Sequence, residues 1–292
     1  MSATWKPVGV LALAFSAVTV LPTLATAAGV ANPTFTKDIA PIFQQKCESC
    51  HRPDSMAPMS LVTYEDARPW ARSIKQRVEA RQMPPWSIDR TVGVQEFKND
   101  RSLNDEQMAT IINWIDKGAP KGDMKDMPAP ATWPEDQGWV LAKNFGQKEP
   151  DLVIHSTPWT QKAGANDTWW RPIVATGLTE DRWVRAIEIR PGTVKGRKIT
   201  HHAIANLQQD ENPDSLAAND VDPNGNQQAG TFMEWAVGKQ GEVMRPNSGK
   251  LLKAGSKIRW DIHYSNGGED VTDDVQLGLY FYPKGQEPKY RQ

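Results

Sequence analysis

Cysteine and histidine are scarce in this 292-residue sequence, which has two of the first, Cys47 and Cys50, and five of the second. Two cysteines three residues apart cannot build the framework of bridges that staples a small secreted fold. Neither sign of charge is in excess: 34 Lys and Arg against 35 Asp and Glu leave a net charge of −1, which excludes the basic field of a general nucleic-acid binder. Long apolar runs are missing apart from residues 8–21, and that run is short of the roughly 20 residues a membrane span needs. Tryptophan, by contrast, is plentiful at twelve residues, which favours buried aromatic packing or an enclosed cofactor over a loose surface protein. Hydrophobic residues at 39% and charged ones at 24% supply a packed core, at a length suited to two ordinary domains.

The first 27 residues have the layout of a secretory signal peptide: Lys6, the apolar run, then Ala25-Thr26-Ala27 as a small-x-small cleavage pattern. The mature chain is expected to begin near Ala28 and to be periplasmic or secreted, an uncleaved anchor being the alternative. Residues 28–118 read as a helical domain. Met108, Ile111, Ile112 and Ile115 form an i, i+3, i+4, i+7 stripe, Ser102 and Asp105 resemble a capping box, and Gly118 with Pro120 stops the helix. A second helix is expected over residues 65–82, with Trp70, Ile74 and Val78 on one side and Arg68, Arg72, Lys75, Arg77 and Arg81 on a solvated face.

Pro120, Pro128, Pro130 and Pro134 punctuate residues 119–136, a linker by composition. Beyond it, residues 137–292 read as β. Residues 183–189, 258–262 and 275–281 alternate, with Gly, Pro and Asn turns between strands, the pattern of an antiparallel sandwich. Residues 210–230 are polar and read as a long surface loop.

Cys47-Glu48-Ser49-Cys50-His51 is C-x-x-C-H. On a helix, positions i, i+3 and i+4 share a side, so two thiols could add to the vinyl groups of one haem while the imidazole reaches its iron. The competing reading is a redox pair or disulfide followed by a chance histidine. Export, the lack of other cysteines and an available distal ligand favour covalent haem c. Met83 is the expected distal ligand: a thioether is soft, and Pro84-Pro85 holds it on an extended segment. Met56 and Met59 are the alternatives, close to His51 in sequence, while Met108 belongs to a helical stripe.

The other histidines all lie in the β half. His201 and His202 are adjacent, and His263 ends the strand at 258–262. Three imidazoles without a cysteine favour copper or zinc. Adjacent residues on a regular strand face opposite ways, so both could ligate one ion only at a strand end or bulge. Exposed or hydrogen-bonded histidines are the metal-free alternative. His155 matches no site, and Asp273-Asp274 and Glu211 near Asp210 read as solvated turn residues, with a calcium site the alternative.

The N-terminal half resembles a class I cytochrome c, on the segment leading into Cys47-Glu48-Ser49-Cys50-His51, on Met83-Pro84-Pro85 and on the terminal helix ending Trp114-Ile115-Asp116-Lys117-Gly118-Ala119-Pro120. Residues 183–192, then His201-His202, then Leu252-Lys253-Ala254-Gly255-Ser256 leading to His263-Tyr264 and Gly267-Gly268, are similar to the copper type II, ascorbate-dependent monooxygenases, bacterial relatives of which carry an N-terminal cytochrome c. That family includes peptidylglycine α-hydroxylating monooxygenase and dopamine β-monooxygenase. The resemblance implies an all-α class I cytochrome c domain followed by an all-β antiparallel jelly-roll-like sandwich. His201, His202 and His263 match the ligands of the family's first copper, which handles electrons. The family's second, oxygen-activating copper, bound by His-x-His and a Met, has no counterpart, because no His-x-His occurs and no His or Met follows His263. Either the chain is truncated at its C-terminus and a second monooxygenase domain is missing, or the protein lacks that half. It is then part of a copper-dependent oxidoreductase and not a complete hydroxylase.

The expectation is an exported electron-transfer protein in which haem c exchanges electrons with a type 2 copper. Its partners would be a redox protein or a small reductant such as ascorbate, with no nucleic acid and no membrane span after signal cleavage. The alternative is an electron-transfer cytochrome whose β domain is a metal-free binding module.

Overall fold

The computed structural model describes residues 1, 29–86, 88, 89, 91–97, 100–133, 138–209 and 230–291. The expected signal peptide, the end of the expected linker and the polar loop at 210–229 lie outside the described residues. No helix among the described residues is long and apolar enough to cross a membrane.

The helices before residue 130 are short. A five-residue π turn, Phe35–Ile39, runs into α1 (Ala40–Lys46). Next come α2 (Tyr64–Ala67), a 3-10 turn at Arg68–Trp70 and α3 (Ala71–Glu79). Helix α4 (Asp105–Asp116) is the longest, at 12 residues. The helix expected over 65–82 is therefore split. Pro69 stands at the join, where its ring and missing N–H oppose a continuous α-helix, and Trp70 turns out to solvent at 43% exposure. Helix α4 starts with a capping box as expected, but the pair is Asn104 and Gln107: the Asn104 side chain accepts from Gln107 N at 2.7 Å, and Gln107 reaches back to Asn104 N at 3.1 Å. Its deepest residues are Thr110, Ile111 and Trp114. Ile111 and Trp114 pack with Phe35, Ile39, Phe43, Leu61, Ile74, Val78 and Leu103 into one apolar cluster.

The β half comprises β1 (Leu152–His155), β2 (Trp159–Gln161), β3 (Thr168–Trp170), β4 (Ile173–Ala175) and β5 (Arg182–Pro191). After the single turn α5 (Gly196–Ile199) come β6 (Thr200–Gln208), β7 (Gly230–Ala236), β8 (Glu242–Val243), β9 (Ser248–Leu252), β10 (Lys257–Tyr264), β11 (Val271–Asp273), β12 (Val275–Phe281) and β13 (Tyr290–Arg291). One sheet runs β1-β12-β5-β9-β13 with β8 also on β5; another runs β3-β10-β6-β7 with β4 also on β10; β11 and β2 pair separately. The alternating sequences become the central strands: β10 buries Ile258, Trp260, Ile262 and Tyr264 and turns Arg259, Asp261 and His263 the other way. Those buried side chains meet Val184, Ile187, Ile189, Leu277 and Leu279 in one core.

Two expectations about fold are corrected here. Strand outweighs helix, about 28% against 22%, and no all-α cytochrome domain is evident among the short helices. The antiparallel rule also breaks at β13, which pairs parallel with β9. Asp273, expected in a solvated turn, is 2% exposed and accepts from Thr193 N at 2.8 Å and Thr193 Oγ1 at 2.9 Å.

Candidate metal centre

On the outward face of the β3-β10-β6-β7 sheet, three imidazoles converge. His202 is paired with His263 across β6 and β10, but the next pair is Tyr264 with Thr200. His201 is thus the extra residue of a β-bulge, and a bulge re-aims a side chain that strict alternation would send inward. The result is an exposed His201 beside half-buried His202 and His263, each offering a ring nitrogen within 4.8 Å of the others. With imidazole–metal bonds of about 2.0–2.1 Å, two ligands on one ion stand about 3–4 Å apart, so little adjustment separates this cluster from a site.

The ring nitrogens are sorted by their neighbours. His263 Nε2 lies 3.0 Å from Asp167 Oδ2. A carboxylate only accepts, so Nε2 carries the proton and Nδ1 the lone pair. That Nδ1 is buried and has no hydrogen-bond partner, a deficit worth about 1–3 kcal/mol when left unmet. His201 Nδ1 and His202 Nδ1 stand 3.0 Å apart. Burial lowers the His202 pKa, and His263 and His201 add to the effect, so the ring favours the neutral form a metal requires. Trp169, opposite His263 on β3, stacks on the His263 ring at 4.8 Å between centroids and 6° between planes. Asp167 and Trp169 escaped the sequence reading, since only pairing of distant strands brings them to the histidines.

The Cys47, Cys50 and His51 side chains are set by a turn rather than by the expected helix. Helix α1 ends at Lys46, after which Cys50 N and His51 N both donate to Cys47 O, at 3.1 and 2.9 Å. Both cysteines are free. Burial pushes the Cys47 thiol up to about 12, with Glu48 and Cys50 adding to it. His51 Nδ1 lies 3.2 Å from Met59 O, so Nδ1 donates and Nε2 keeps its lone pair. Burial lowers the His51 pKa, opposed by that bond. Met59 thus supplies a backbone carbonyl next to the ring. Met83 is 42% exposed and borders a cavity of about 440 Å³ with Val78, Trp86, Leu103 and Met108. Cys47, Cys50 and His51 are not among the residues lining that cavity.

His155 is held by Asp274 at 2.6 Å on the surface, away from the trio. No protein family and no curated protein matches the chain. Together with the short helices, this overturns the resemblance to a class I cytochrome c joined to a copper type II monooxygenase domain.

Proposed function

We propose that this chain is an exported electron-transfer protein that binds two one-electron centres. One is a type 2 copper on His201, His202 and His263; the other is a haem c on Cys47, Cys50 and His51. The observation that carries the reading is the orphaned His263 Nδ1, aimed by the Asp167 contact at Nε2 and set beside two further imidazoles. A metal-ligating histidine commonly donates its other ring N–H to a carboxylate or carbonyl. His263 does so to Asp167, and His51 has the same arrangement through Met59 O.

When bound, each centre would supply reversible one-electron chemistry. The chain's own residues do the rest. Asp167 fixes the His263 tautomer, and Trp169 covers one face of its ring. The bulge holds His201 and His202 on one side of the sheet. The free thiols of Cys47 and Cys50, three residues apart on a turn, fit a doubly attached prosthetic group. The exposed thioether of Met83 is the proposed distal donor.

Copper analysis of the purified chain tests the reading. One copper per chain is expected, with an electron paramagnetic resonance signal of type 2 and no intense blue colour, since blue sites need a cysteine ligand. His263→Ala should abolish the signal and leave a haem spectrum unchanged. Absence of copper after reconstitution overturns the copper assignment, and absence of a pyridine haemochrome overturns the haem.

A further inference from the structure

His201 reaches the other two imidazoles only because it is the extra residue of a bulge, and a bulged residue is left out of the ladder. Its direction is therefore set by what holds the chain on either side of it. Downstream, His202 is paired to His263 and to Ala236. Upstream, Thr200 is paired to Tyr264, and Ser265 N donates to Ile199 O at 2.7 Å. Preceding these residues is the single turn α5, four residues long, which is too short to hold itself in water.

A line of hydrogen bonds holds that turn from inside. The Asp273 carboxylate is buried at the end of β11. Thr193 N and Thr193 Oγ1 donate to its Oδ1 at 2.8 and 2.9 Å, and Gly192 N donates to its Oδ2 at 3.4 Å. Thr193 Oγ1 in turn accepts from Gly196 N at 2.8 Å. Gly196 O accepts from Thr200 Oγ1 at 2.8 Å, and the next residue is His201. Gly196, the first residue of α5, is thus fixed at both its N–H and its C=O. Only glycine fits there: a Cβ on Gly196 would collide with both Asp273 carboxylate oxygens, and one on Gly192 would collide with Asp274. A buried carboxylate is costly unless it is well hydrogen-bonded, and the bonds of Asp273 go to the residues that open this turn.

We propose that Asp273, Thr193 and Thr200 are positioning residues of the three-histidine site: their hydrogen bonds through Gly196 fix the bulge so that His201 meets His202 and His263. The consequence for copper rests on the copper assignment; the placing of the rings does not. Metal ligands must be held within about 0.5 Å of their working places, and loss of an outer-shell partner usually costs about 10–100-fold in affinity.

Thr193→Val and Thr200→Val each delete one hydroxyl at nearly constant shape, and Thr193→Ser and Thr200→Ser return it. Copper(II) is titrated into each full chain well below its unfolding midpoint, and the metal-free chains are labelled at histidine for nuclear magnetic resonance. Both valine variants should bind copper about 10–100-fold more weakly, with an altered nitrogen hyperfine pattern in paramagnetic resonance. Both serine variants should stay close to wild type. In the metal-free chains, the nuclear Overhauser contact between the rings of His201 and His202, whose centroids are 5.3 Å apart, should be lost with valine and return with serine. Asp273→Ala, which deletes the anchor, should follow the valine variants. Valine variants that lower the unfolding midpoint yet leave copper affinity, hyperfine pattern and ring contact unchanged overturn the proposal, as do serine variants that fail as valine does. A wild-type chain that takes up no copper refutes the copper assignment alone, because the ring contact in the metal-free chains still decides whether the hydroxyls position His201.

Discussion

Asp167 has no periodic pattern around it and is exposed, yet it decides which nitrogen of His263 faces its neighbours. Removing the carboxylate should let the ring flip or change tautomer. Asp167→Asn is therefore expected to weaken copper binding about 10–100-fold, the usual cost of losing such a partner, and to shift the paramagnetic resonance parameters. A chain with unchanged affinity would show that the carboxylate does not orient the ring. Asp273 is the other residue that sequence reading misjudged. It stands in a polar run, and nothing local says that its side chain closes onto the Gly192-Thr193 turn. Burial raises its pKa from 3.8 to about 6, outweighing its hydrogen bonds to Thr193 and Gly192. Between those values the folded chain keeps a proton that the unfolded chain has released, so stability falls as pH rises through that window. Asp273→Asn should flatten this part of the pH–stability curve in chemical denaturation, and an unaltered slope would remove Asp273 as its source.

Elements whose signals are local were legible. Strands β5, β10 and β12 fall where alternation put them, and α4 lies on its apolar stripe. The cap of α4 shows the resolution of such reading: the sequence points to a box, but the structure uses Asn104 and Gln107, two residues on from the Ser102–Asp105 pair. Asn104→Ala should cost about 1 kcal/mol by urea denaturation, while Ser102→Ala should cost a few tenths at most. The histidine cluster was legible only as a condition. Adjacent His201 and His202 required a strand end or a bulge, and the register shift between β6 and β10 supplies the bulge. Register depends on strands that are about 60 residues apart in sequence, so no local window contains it. The helical expectation for residues 28–118 failed for a related reason. Apolar spacing marks where a helix could bury a face, but Pro69 and the irregular stretch before α4 set how much of the segment is helix at all.

At the scale of the whole molecule, Cys47 packs against the apolar cluster of the N-terminal half, while His202 and His263 sit on β6 and β10, the strands whose other face enters the main cluster of the β half. Polar links join the halves: Arg101 to Gly238, and Lys198 to Asp54 at 3.1 Å on the surface. An exposed pair of that kind contributes about 0–1 kcal/mol, too little to force cooperative unfolding. Copper bound by β6 and β10 should then stabilise the sheets alone. At a free concentration 100-fold above its dissociation constant, a ligand that binds only the folded state adds about 2.7 kcal/mol. The expected outcome in a calorimetric scan is two transitions, with copper moving the one that the β half contributes and leaving the other in place. His263→Ala should abolish the movement. One transition that copper shifts as a unit would mean that the halves are coupled more tightly than these polar links imply, and the independence of the two proposed centres would fall with it.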